Sequence, residues 1–230
     1  MKWAQLWTRS RGATPSTAAV RRQVAAPPAH YPDAIRTALL ARAGSPRGLV
    51  SYDEAVATVC EATGWPVGHA WLLGPTGWRS SGAWHAAVDE GASKALRETT
   101  AMTDLGSGRG IVAAVLHLQS CRFLPGLEGL GSPLRQAQAA ALGLRGVVGV
   151  PVHSGTGSSR RVSGVLEFIT VDEVEPDGAL AEALLEVAAH TRRRVTHKRR
   201  PAPAPAAPAA MPCTAATTAT TTAELDHLAG

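Results

Sequence analysis

Cysteine and the smaller aromatics are scarce: the 230 residues hold three Cys, two Phe and two Tyr. The thiols, Cys60, Cys121 and Cys213, are odd in number and none stands in C-x-x-C spacing. That suggests neither a disulfide framework nor a cysteine zinc site, and it fits a reducing compartment. No run approaches the ~20 apolar residues of a membrane span, and the first residues lack the compact apolar block of a secretory signal. The chain is therefore expected to be cytoplasmic. Also missing are H-x-E and H-E-x-x-H spacings for zinc, both glycine-rich phosphate-loop patterns and the Gly-x-Ser-x-Gly elbow of hydrolases.

Acidic side chains are missing from one end and rare at the other. Residues 1–32 carry five basic groups and no acidic one, and residues 191–230 carry six basic and two acidic. The formal charge of +5 thus belongs to the ends, and residues 33–190, with twelve basic and sixteen acidic groups, are net acidic. A nucleic-acid platform needs Lys and Arg clustered on a structured face, so nucleic acid is not the expected partner of the folded part.

What the chain does have is tryptophan, six in all, and a regular middle. Residues 1–32 form an expected disordered basic tail, and residues 199–230 a second tail rich in Pro, Ala and Thr, whose composition offers too little apolar area to offset the entropy of ordering. Residues 33–50 read as a helical appendage and linker, with a helix over Asp33–Ala43. Ser51-Tyr52-Asp53-Glu54 spells a capping box, and the helix it opens stops at Gly64. Val67–Leu73 and Arg79–Val88 read as a hairpin turning at Pro75-Thr76-Gly77, with Trp71, Trp78 and Trp84 on or near it. Gly106–Gly110 leads into a helix over Ile111–Gln119, and Cys121–Leu124 is a short strand.

A helix over Ser132–Leu142 precedes a second hairpin, Val147–Val152 and Val162–Thr170. In its second strand Val162, Leu166 and Phe168 share a parity and are expected on one buried face. A last helix, Asp177–Val195, turns Leu180, Leu184, Val187 and Ala188 inward, with Arg192, Arg193 and Arg194 complementing its C-terminal dipole. Helices alternating with hairpins in this way predict an α+β domain, an antiparallel sheet with helices packed on it.

Three stretches carry a resemblance. Ala62-Thr63-Gly64-Trp65-Pro66-Val67-Gly68-His69-Ala70-Trp71 is similar to the opening of GAF domains, where a helix ends in a Thr-Gly-Trp-like turn before the first strand. Gly108-Arg109-Gly110-Ile111-Val112 resembles the turn that starts the family's crossover helix. The run from Arg135 through Gly143-Leu144-Arg145 to Val150-Pro151-Val152, followed by Gly164-Val165-Leu166-Glu167-Phe168, resembles the family's core pattern. The resemblance spans residues 51–197 within a GAF-like domain bounded at 51–198, and the chain departs from the pattern over Arg122–Ser132.

The resemblance implies a GAF/PAS-like sheet with a ligand cavity on one side and dimerisation through the terminal helices. Relatives bind cyclic nucleotides, haem, bilins or small organic molecules. Here no Cys precedes a His as in bilin attachment, and the Asn-Lys-Phe-Asp-Glu signature of cyclic-nucleotide-binding phosphodiesterase domains is absent. His69, His85 and His117 are the candidates for a haem axial ligand, although a lone His among apolar residues is more often packed or hydrogen-bonded core. No cofactor is assigned.

One branch of the family, the free methionine-(R)-sulfoxide reductases, uses a cysteine nucleophile and a resolving cysteine. Gly110-Ile111-Val112 occupies the region where a Cys commonly stands in them, and Cys121 lacks a second thiol in evident reach. The chain is accordingly expected not to be an enzyme, with no catalytic and no metal-binding residue. Ligand contacts are expected from Trp71 and Trp84 as flat walls, from Arg135 and Arg145 as clamps for a carboxylate or phosphate, and from His117 as a hydrogen-bonding group. The functional expectation is a GAF-type sensory protein, a homodimer that binds a small molecule and acts on a protein partner in trans. The alternative is a non-catalytic module whose basic ends dock on an acidic protein, a membrane surface or nucleic acid.

Overall fold

The computed structural model describes residues 30–192 apart from Pro46, Arg47, Asp89 and Ser107. The expected tail over 199–230 lies outside the described residues, as does the 1–32 tail up to residue 29; of its last residues Tyr31 and Pro32 are corrected from disorder to the first turn of a helix. Helices α1 (Tyr31–Ala43) and α2 (Tyr52–Thr63) lead into β1 (Val67–Gly74) and β2 (Gly77–Ala86). Helices α3 (Glu90–Met102) and α4 (Gly110–Leu118) follow, then β3 (Arg122–Pro125), a 3-10 turn over Glu128–Leu130 and α5 (Pro133–Ala141). Strands β4 (Gly146–Ser154) and β5 (Arg161–Thr170) and helix α6 (Gly178–His190) complete the domain.

Every strand pairs antiparallel, in the order β2-β1-β5-β4-β3, so the expected α+β architecture is the observed one. The capping box at Ser51 is formed: its hydroxyl accepts from the Glu54 amide at 3.2 Å while the Glu54 carboxylate accepts from the Ser51 amide at 2.6 Å. This satisfies two amides that a helix start would otherwise leave without partners. Gly64, in the left-handed conformation, ends the same helix.

The sheet is covered on both sides. On one face α1, α2 and α6 close over Leu166, Phe168, Val148 and Val150, with Ile35, Leu39, Val56, Leu184 and Val187 filling the layer. On the other, α3, α4 and α5 lie over Val67, Trp71, Val147, Val165 and Ile169. Gly149 lets α4 come close, since a Cβ there would stand 2.4 Å from Ile111. Gly110 serves the start of the same helix in two ways: its φ of 57° is left-handed, and a Cβ would meet the Gly129 carbonyl at 2.2 Å.

Two further expectations are corrected, and one element is unannounced. Val162 does not share a face with Leu166 and Phe168, because the β4–β5 register slips by one residue between Val152 and His153 and turns Val162 toward Val165 and Ile169. The last helix stops at His190 and not Val195: Thr191 is extended, its hydroxyl donates to the Val187 carbonyl at 2.8 Å, and its backbone pairs with Val50. Arg192 donates to the Thr191 carbonyl at 3.2 Å, while Arg193 and Arg194 lie outside the described residues. Finally, α3 is an element that the apolar pattern does not announce. Its buried positions include Ser93, Thr99 and Thr100, and Leu96 is its one fully buried large apolar side chain.

Candidate functional site

Strand β5 reads Val165-Leu166-Glu167-Phe168-Ile169, so alternation points Glu167 at the face covered by α3, α4 and α5. A carboxylate there has left water entirely, at 0% exposure, and persists only with charged or hydrogen-bonding partners. Arg135, also at 0% exposure, supplies them from α5. Its guanidinium donates through Nη1 to Glu167 Oε1 at 3.3 Å and through Nη2 to Glu167 Oε2, a two-pronged pair. Nη1 also donates to the Leu130 carbonyl at 2.7 Å and Nε to the Thr100 hydroxyl at 3.0 Å, which ties the pair to the 3-10 turn and to α3. Trp71 closes the remaining side, with its ring 5.0 Å from the guanidinium carbon.

His69, paired with Glu167 across the β1–β5 ladder and 1% exposed, completes the cluster. Its Nδ1 stands 3.7 Å from Glu167 Oε2, beyond hydrogen-bond distance, and its Nε2 is 2.8 Å from the Ser80 hydroxyl. That second contact depends on a bulge: between His69 and Trp71 the register shifts, leaving β2 with two extra residues opposite β1. The Ser80 oxygen also accepts from the Gly82 amide at 3.2 Å, which leaves the hydroxyl proton to point at the imidazole. The His69 ring stands edge-on to Trp71 at 4.7 Å and tilted against Trp84 at 5.6 Å.

Burial lowers the pKa of His69 from its ordinary value; the Glu167 carboxylate opposes this and Arg135 adds to it, so the ring is neutral. For Glu167 burial alone would raise the pKa, but the charge of Arg135, with its hydrogen bonds and the neighbouring His69, holds the carboxyl well below the usual range. The cluster is thus a neutral imidazole beside a closed ion pair.

Trp84 joins this buried cluster to the surface. Its indole backs a cleft of about 690 Å³ between β2 and α3, lined also by Ala86, Val88, Ser93, Lys94 and Arg97. The indole N–H groups of Trp84 and of the fully buried Trp71 have no acceptor among the described residues, and neither does His69 Nδ1 have a hydrogen-bond partner. Gln138 on α5 donates to the Thr99 hydroxyl at 2.8 Å, while its own carbonyl oxygen is buried without a donor. Polar atoms of this kind are uncommon in a closed interior.

Of the residues expected to contact a ligand, Trp71, Trp84 and Arg135 converge here. The Arg135 fork is spent on Glu167, so it grips a carboxylate of the chain itself. His117, on the last turn of α4, and Arg145, in the loop before β4, are exposed and take no part in these hydrogen bonds. From the sequence His69 stands out as a motif residue and a haem-ligand candidate, Glu167 only as part of a motif, and Thr100 not at all. One signal was present: a Glu at an inward position of an otherwise apolar strand demands a buried partner. No group of three or more His, Cys, Asp or Glu able to hold a metal occurs among the described residues.

The described thiols belong to the opposite face. Cys60 is buried among the residues of α2, and Cys121 stands beside α6 at 3.6 Å from the Ala181 carbonyl. Burial raises both, Cys121 to about 12, so both are protonated at neutral pH. No described helix is long and apolar enough to cross a membrane.

No family model matches the chain, and no curated protein matches it. Solved structures of similar fold include a GAF domain at 12% identity, covering 74% of this chain and 93% of that one with a TM-score of 0.48. The GAF domain of an Acinetobacter phosphoenolpyruvate-protein phosphotransferase is similar at 17% identity over 69% and 87% of the two chains, TM-score 0.45. The free methionine-R-sulfoxide reductase from Neisseria meningitidis, solved with its substrate, is similar at 16% identity over 70% and 84%, TM-score 0.46. The chain thus resembles GAF domains in the order of its motifs and in its fold. The expectation that it is no enzyme is corrected by the last comparison: a fold of this kind carries catalysis in that protein, so the architecture does not exclude it.

Proposed function

We propose that this chain is a GAF-type sensory or regulatory domain that receives a small molecule in the cleft between β2 and α3. The observation that carries the reading is the position of Trp84. One side of its indole backs the cleft and the other meets the buried His69 of the Arg135–Glu167 cluster. A ligand there stacks on an aromatic wall, as small molecules do in apolar pockets with few polar groups. The Trp84 indole N–H, which has no acceptor among the described residues, would suit an acceptor oxygen or nitrogen on that ligand.

The output follows from the construction. Thr100 of α3 and Leu130 of the 3-10 turn are both tied to Arg135, so a ligand that moves α3 strains the ion pair and, through β5, the sheet beneath. A ligand with different affinities for two arrangements of these elements shifts their populations, and a protein partner in trans reads the difference. Native mass spectrometry of the protein taken directly from cells tests the site. The wild type is expected to carry a small-molecule mass that is released on denaturation, and Ala101→Trp, at an exposed position that lines the cleft, is expected to be folded and without it. A bound mass retained by Ala101→Trp places the ligand elsewhere and overturns the reading.

A further inference from the structure

A second groove, distinct from the cleft beside Trp84, opens where β5 gives way to α6. It encloses about 330 Å³, and its apolar walls are Tyr31, Trp65, Val174 and Leu180. The rim is acidic: Glu173 and Glu175 are exposed along it, and Asp177, at its end, caps α6 by accepting from the Ala179 and Leu180 amides. Tyr31 is both a wall of this groove and the first residue of α1, so the chain enters the described domain at the groove's edge. The preceding residues, 1–29, hold five basic groups and no acidic one, and their last nine read Arg21-Arg22-Gln23-Val24-Ala25-Ala26-Pro27-Pro28-Ala29.

We propose that this groove is the docking site of residues 21–29 of the same chain, with Arg21 and Arg22 set against Glu173 and Glu175 and Val24 against the apolar walls. Reach is no obstacle, because at ~3.3 Å per extended residue Arg21 commands a radius of about 30 Å from Tyr31. Pro27 and Pro28 restrict the arm next to its anchor and lower the entropy lost on docking. Guanidinium groups suit carboxylates through paired hydrogen bonds, and their attraction is strongest at low salt.

Hydrogen exchange of the full-length protein, read by mass spectrometry at low salt, tests the docking through charge reversal and its repair. Arg21→Glu with Arg22→Glu is expected to speed exchange at least tenfold in residues 21–26 and 171–175, and to leave the interiors of β5 and α6 unchanged. Combining it with Glu173→Arg and Glu175→Arg is expected to restore the slow rates. Exchange at 171–175 that ignores the Arg reversal, or a fourfold variant as fast as the double one, overturns the proposal. Protection that grows with protein concentration also overturns it, by assigning the groove to a second copy of the chain.

Discussion

The two faces of the sheet are covered by three helices each and are built on different principles. Beneath α1, α2 and α6 the layer is almost wholly apolar, and its few buried polar side chains, such as Thr63 and Thr191, return their hydroxyls to the preceding helical turn. Beneath α3, α4 and α5 the layer surrounds a fully buried ion pair, a neutral histidine and indole N–H groups without acceptors. The first face is what stability alone asks for. The second keeps desolvated charge at a cost, since apolar residues of similar volume in place of a buried ion pair are often no less stable. The cleft lined by Trp84 opens on this second side.

The largest expected effect comes from splitting the pair. Arg135→Met leaves the Glu167 charge buried alone and is expected to lower stability by about 3–5 kcal/mol, whereas Arg135→Met with Glu167→Leu recovers most of the loss. Urea unfolding of the two variants measures the difference. An equal loss in both would mean that the pair itself holds the fold, and the contrast between the faces would collapse.

Next is the control on the apolar face. Leu184→Ala in α6 removes a fully buried side chain and is expected to cost about 3 kcal/mol through lost transfer energy and the cavity left behind. The same urea experiment reads it, and the affinity of any cleft ligand that native mass spectrometry identifies is expected to stay within about twofold, because no described contact joins Leu184 to the cluster. A loss of affinity parallel to the loss of stability would show that the two layers act as one.

A smaller effect separates the faces by pH. The folded pKa of His69 is lowered from 6.5, so its contribution is present above that value and is lost as the pH falls and the unfolded ring takes up a proton. Glu167 is lowered from 4.5 and repeats the pattern below that pH. Cys60 on the apolar face is raised above 9.0, so its contribution is lost as the pH rises past 9. Urea midpoints between pH 4 and 10 are expected to fall at both ends. Removing the pair with Arg135→Met and Glu167→Leu should flatten the acid limb below pH 4.5 and spare the alkaline one; a change on the alkaline side instead would contradict the assignment.

The same contrast explains how much could be read from the sequence. The apolar face was legible: the capping box at Ser51, the stop at Gly64, both hairpins and the inward set Leu180, Leu184, Val187 and Ala188 all follow from period and turn chemistry. Helix α3 was not, because Leu96 is its one large buried apolar side chain and its other inward positions include Ser93, Thr99 and Thr100, polar types that a search for apolar residues at helical spacing passes over. The site itself was half legible. Trp71, Trp84 and Arg135 stand out as residue types, but Arg135 was expected to face a ligand, and only the three-dimensional arrangement pairs it with Glu167, 32 positions away. Val162 was misplaced for a related reason: a bulge shifts parity by one residue and leaves no compositional mark.

The tryptophans provide the most direct measurement of the central claim, because they report on both faces at once. Trp71 and Trp84 belong to the cluster and its cleft, whereas Trp65 packs against Phe168 on the other side of the sheet. In a proton–nitrogen correlation spectrum of the full-length protein the indole N–H signals can be assigned by single Trp→Phe replacements and followed as a filtered low-molecular-weight cell extract is added. The account predicts that the Trp84 and Trp71 signals move while that of Trp65 stays in place. Movement of Trp65 with Trp71 and Trp84 fixed would put the ligand on the apolar face and contradict it.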